Sequence, residues 1–185
     1  MTLVKHAAVQ YGAALGVFLA WAAADSWYIH TGMILAGALS LVLAALTGFA
    51  AATVIHEWFH LLGARSTGAA YKVPDKPGLF IYDYDFAANT LRQFNVMSVA
   101  GQLGSWVAVF GLMILFPPET PGRAMLAAGA AASAVFAGVI EVPPLLRAQQ
   151  SGDPFAELSR IDTGVLKSAG VAGMGTLLLS WYLIY

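Results

Sequence analysis

The sequence predicts an all-α polytopic membrane protein with about five transmembrane helices and a small β-hairpin or edge strand on the cytoplasmic side. Three observations carry that expectation. Of 185 residues, 59% are apolar and only 10% charged, against roughly 25% charged in ordinary globular domains. The apolar residues fall into five stretches of about span length, with a mean hydropathy of +0.71 for the whole chain. The cations sit at one set of span ends. A soluble fold of this size has too little interior for so much apolar surface, and a net charge of −1 provides no basic footprint for nucleic acid. With no cysteine, disulfides, thiolate metal sites and cysteine nucleophiles are excluded, so any metal must be held by His, Asp or Glu.

The expected spans are residues 7–25, 33–62, 96–116, 124–146 and 164–185, within a single transmembrane domain covering residues 1–185. The start of the chain, with Lys5 and His6 ahead of an apolar run ending at Ala22-Ala23-Ala24, has some of the pattern of a secretory signal. Its apolar run is closer to a full span than to a short signal core, so it is expected to remain as the first helix. Within it, Gly12 and Gly16 form a G-x-x-x-G, and Ala169/Gly173 repeat the small-xxx-small spacing in the last span. Such spacing lets helix backbones approach closely, here in ordinary packing within the chain.

The second span is longer than one bilayer crossing needs at ~1.5 Å per residue, so it is tilted or projects beyond the membrane. Two longer polar segments, residues 65–95 and 147–163, must lie on one side together. Charge assigns that side. Lys5, Arg65, Lys72, Lys76, Arg92, Arg147, Arg160 and Lys167 gather at the same ends, and only Arg123 lies opposite. Positive residues favour the cytoplasm, which places the N-terminus inside and the C-terminus outside. Trp27, Tyr28, Trp181, Tyr182 and Tyr185 fall at the opposite, outer ends as an aromatic belt.

Strand character is confined to residues 79–86. Phe80, Tyr82, Tyr84 and Phe86 alternate with Ile81, Asp83 and Asp85, and Pro74-Asp75-Lys76-Pro77-Gly78 supplies a turn just before them.

One constellation carries chemistry. His56-Glu57-Trp58-Phe59-His60 is an H-E-x-x-H inside a long apolar helix. Positions i and i+4 share a helix face, so both imidazoles can reach one ion with Glu57 beside it as general base. Histidines and a glutamate are expensive in lipid and mark function by default. Zinc needs a third protein ligand and an open position. Two carboxylates offer themselves: Glu141 within the fourth span, about two turns from Arg147, and Asp153 directly after it. At this point both stand.

With these residues in view, the chain resembles the site-2 protease family of intramembrane zinc metalloproteases, in the broad sense that includes short, divergent bacterial members. In that family an H-E-x-x-H helix is followed by a G-P-x-x-N-type motif on the next core span and by a Pro-x-x-x-Asp-Gly-type motif that supplies the third ligand. Here His56–His60 is followed by Ala100-Gly101-Gln102-Leu103-Gly104-Ser105, then by Pro143-Pro144-Leu145 and Gly152-Asp153-Pro154, so the likeness covers residues 55–161. Gln102 stands in place of the family's proline and Ser105 in place of its asparagine.

The resemblance implies Zn²⁺ held by His56, His60 and Asp153 with Glu57 as general base; the chain's own residues keep Glu141 as the alternative third ligand and offer Gln102 or Asn95 as extra oxyanion donors. It implies peptide-bond hydrolysis in transmembrane protein substrates, in a bacterial inner membrane, with the substrate paired to the edge strand. Two other readings follow from the same residues. One is a non-proteolytic, site-2-protease-like accessory or scaffold subunit of a larger membrane complex, motivated by Gln102 and Ser105. The other is a metal-free helical protein in which His56, His60 and Glu141 carry protons.

Overall fold

The computed structural model describes residues 2–78 and 80–185. The elements run α1 (Thr2–Thr31), α2 (Ile34–Ser66), β1 (Tyr71–Lys72), β2 (Asp83–Tyr84), α3 (Leu91–Leu115), α4 (Pro121–Ser151), α5 (Pro154–Leu158) and α6 (Thr163–Ile184). Among the described residues, four helices are long and apolar enough to cross a membrane: α1 from Leu3, then α2, α3 and α4. The all-α class therefore holds. The fifth expected span, α6, is not one of these four; Lys167 and the glycines at 170, 173 and 175 lower its hydropathy.

Helix ends follow local chemistry. Thr90 and Gln93 form a reciprocal capping box at the start of α3, Thr120 caps α4 ahead of Pro121, and Asp162 caps α6. Each cap contributes on the order of 1 kcal/mol by satisfying amides that have no helical partner. Helix α4 continues past Pro143 and Pro144 and stops at Gly152, whose φ of 72° is the left-handed conformation that glycine adopts without penalty. It thus extends five residues past the expected span end at 146.

Helices α2 and α4 are central. Helix α2 packs against α1, α3 and α4, while α4 also carries α5 and α6. Glycine permits the α2–α4 crossing: a Cβ on Gly48 would collide with the carbonyl of Leu126, and one on Gly129 with that of Ala45. The core between them is small-residue packing around Ala52, Ala108, Ala130 and Ala134. The last span uses its small residues as expected, since Ala169 is buried and Gly173 faces the Ala132 carbonyl. The first does not. Gly12 and Gly16 are exposed, with open space where a side chain would stand, so the G-x-x-x-G takes no part in packing within the chain.

The strand segment is a hairpin of two short arms. Tyr71 pairs with Tyr84 and Lys72 with Asp83, antiparallel. The expected alternation holds over 82–86, where Tyr82, Tyr84 and Phe86 are partly buried and Asp83 and Asp85 exposed. It fails at the start: Ile81 is fully buried and Phe80 exposed, and Leu79 lies outside the described residues. The physical reason is competition for the backbone. Pro74 and Pro77 have no N–H to give a ladder, and the carbonyls of Pro74 and Gly78 accept instead from His6 Nε2 and Gln10 Nε2 on α1, both at 3.0 Å. Trp58, next to Glu57, donates to Gln10 Oε1 at 3.0 Å. His6 is fully buried as part of this clamp, which ties the 73–78 loop to the helix bearing the H-E-x-x-H.

Candidate metal centre

Helix α2 brings His56, Glu57 and His60 to its buried face, at 3%, 8% and 8% exposure. The two Nε2 atoms lie 2.9 Å apart, and Glu141 Oε1 from α4 stands 2.9 Å from His56 Nε2 and 3.3 Å from His60 Nε2. These three side chains form the metal-compatible group among the described residues.

The donor chemistry fits a cation. His60 Nδ1 lies 2.9 Å from the carbonyl of Met97, which can only accept. That ring nitrogen therefore carries the proton, and in the neutral ring Nε2 is left with a lone pair. His56 Nδ1 is held by Ser105 Oγ at 2.9 Å, which leaves its Nε2 facing the same point. The Ser105 hydroxyl can accept from Nδ1, and in that tautomer two imidazole lone pairs and a carboxylate oxygen converge on one point that a cation fits. Zinc with ligand bonds of ~2.0–2.1 Å and tetrahedral angles places its ligands about 3.3 Å apart, close to the observed triangle.

The surrounding residues hold the ligands in place. Gln102 Nε2 donates to Glu141 Oε2 at 3.0 Å, steadying the carboxylate and leaving Oε1 for the histidines. One of its two amide N–H groups is thus engaged with Glu141. Gly101 gives His60 room, because a Cβ there would enter the imidazole ring. Gly101→Ala is therefore expected to weaken metal binding by about 10–100-fold. Gly111→Ala on the same helix, where the space is open, should leave it unchanged. Competition with a zinc-sensitive dye measures both.

Asp153 is not brought to the pair. Its Oδ1 caps α5 by accepting from Ala156 N at 3.0 Å, and it lines a different cavity with Lys72, Asp85 and Phe155. The reason is helix length: by continuing to Gly152, α4 carries Asp153 roughly 15 Å along its axis beyond Glu141. Asn95 does not line the cavity at the centre either.

Two cavities meet at Glu57. One, of about 400 Å³, lies beneath the hairpin and is lined by Glu57, His60, Glu141, Tyr82, Tyr84 and Phe86 among others. The second, of about 430 Å³, follows α2 and α4 and is almost wholly apolar, lined by Phe49, Val54, Phe136 and Ile140 together with His56, Glu57 and Glu141. Phe80 borders both. In the first, the Tyr84 hydroxyl is buried with no hydrogen-bond partner among the described residues. Burial pushes that phenol up to about 12 and raises Tyr82 further, so both stay protonated donors.

Sequence reasoning placed Gly101 and Ser105 in the family-like motif but not against His60 and His56, and it gave Tyr84 no part in the site. The small-residue spacing of Gly101, Gly104 and Ser105 was the local hint of a close approach to the H-E-x-x-H helix. No protein-family model, curated protein or solved structure matches the chain.

Proposed function

We propose that the chain is an intramembrane zinc metalloprotease of site-2-protease type, with His56, His60 and Glu141 as ligands and Glu57 as general base. The observation that carries this reading is the convergence of two imidazoles and the Glu141 carboxylate, with the buried Glu57 carboxylate bordering the same cavity. A two-histidine, one-carboxylate set also suits iron. What favours a hydrolytic ion is Glu57, which borders the same cavity as His60 and Glu141 without belonging to the donor group.

Bound there, zinc supplies Lewis acidity, polarising a carbonyl and bringing the pKa of water toward ~7. Glu57 takes the proton of the attacking water and returns it to the leaving amide nitrogen. The Tyr84 hydroxyl offers an unused donor to the substrate backbone. A transmembrane segment has its amides already paired and must unwind before attack. The apolar cavity along α2 and α4 suits its side chains, and the free edges of the two-stranded hairpin suit its released backbone. In this reading α6, packed along α4, is the fifth span, and the hairpin side faces the cytoplasm, with the N-terminus inside.

The test is metal removal. Cleavage of model transmembrane peptides by the purified chain should cease after chelation and return with one equivalent of zinc. Cleavage that survives chelation contradicts the proposal. A chain that binds zinc, cleaves nothing and co-purifies with a stable membrane complex is instead the accessory subunit.

A further inference from the structure

A separate cavity of about 320 Å³ lies where the charged end of α4 meets the start of α6, and it contains none of the metal-centre residues. Arg147 of α4 and Arg160 from the α5–α6 connection both border it. Arg147 Nε and Arg160 Nη1 donate to the same atom, Glu157 Oε2, each at 2.9 Å. Glu157 is 3% exposed, whereas the two arginine side chains are 43% and 63% exposed. One buried carboxylate thus holds two guanidinium groups side by side, with one positive charge in surplus and no further partner for their remaining nitrogens among the described residues.

The nearby acidic group, Asp162, turns its carboxylate onto the Val165 amide of its own helix at 2.9 Å. Above the arginines the wall is apolar: Val139, Ile140 and Pro143 from α4 face Val165 from α6. The groove therefore has a cationic mouth at a span end and an oily wall running toward the middle of the bundle.

We propose that this groove binds an anionic phospholipid, its phosphodiester on Arg147 and Arg160 and an acyl chain along the α4–α6 wall. A buried carboxylate needs one arginine for charge balance. The second, pre-set beside it, suits a phosphate oxygen, for which guanidinium geometry is matched. A soluble phosphate would leave the apolar wall uncovered, whereas a lipid covers it, and basic pockets between spans are sites for anionic headgroups.

The experiment is native mass spectrometry of the full chain, delipidated in detergent and titrated with phosphatidylglycerol or phosphatidylcholine. The wild-type chain should retain phosphatidylglycerol at least about fivefold better. Arg147→Gln and Arg160→Gln should each remove most of that preference; each leaves Glu157 one arginine, and circular dichroism should show unchanged helix content. Millimolar inorganic phosphate should not displace the lipid. Equal retention of the two lipids by wild type, or an undiminished preference in both variants, overturns the proposal. Displacement by phosphate overturns it in favour of a soluble-anion site.

Discussion

Glu57→Gln is expected to leave about one zinc per chain and to lower peptide hydrolysis by about 10²- to 10⁴-fold, the range that positioned proton transfer supplies. The amide is nearly isosteric, so packing around a residue of 8% exposure is preserved. Glu57 is not in the His56, His60, Glu141 donor group, so metal content should not change. What is lost is that one of the two carboxylates bordering both cavities which stands outside the donor group and can accept a proton. Paired metal analysis and cleavage assays on the same preparation separate this from unfolding. Full activity in the variant would remove Glu57 from the mechanism.

The second large effect concerns the third ligand. Glu141→Ala should reduce zinc affinity by at least about 100-fold, since loss of a supporting hydrogen bond alone costs 10–100-fold and Glu141 supplies Oε1 directly to both imidazoles. It also strands Gln102, whose amide donates to Glu141 Oε2. Asp153→Ala should retain zinc and activity, with a penalty limited to about 1 kcal/mol for the lost α5 cap. The reverse pattern, zinc lost with Asp153 and kept without Glu141, would mean that the centre forms only after α4 and α5 rearrange.

The pair of histidines was legible because helical periodicity alone brings i and i+4 together. The third ligand was not decided by sequence, because it depends on how far α4 continues. Pro143 and Pro144 remove the amides that would bond to the carbonyls of Val139 and Ile140, and this suggests a helix ending near them. Packing against α2 and α6 carries the helix on to Gly152, so Asp153 overshoots and Glu141 stays level with His56. The hairpin was half legible. Alternation located its second arm, but its partner, Tyr71–Lys72, has too few residues to show a period. The anchoring of His6 to Pro74 joins residues 68 positions apart, and no local pattern encodes such a contact. Gly12 and Gly16 show the converse: a spacing that permits close helix approach does not supply the partner helix.

The central claim is that His56, His60 and Glu141 share one ion. X-ray absorption at the zinc edge, on tag-free protein carrying stoichiometric zinc, tests it most directly. The account predicts a first shell of nitrogen and oxygen at ~2.0–2.1 Å, with outer-shell scattering from two imidazoles that falls to one in His60→Ala. A protein that takes up no zinc, or a zinc spectrum without imidazole scattering, would contradict it.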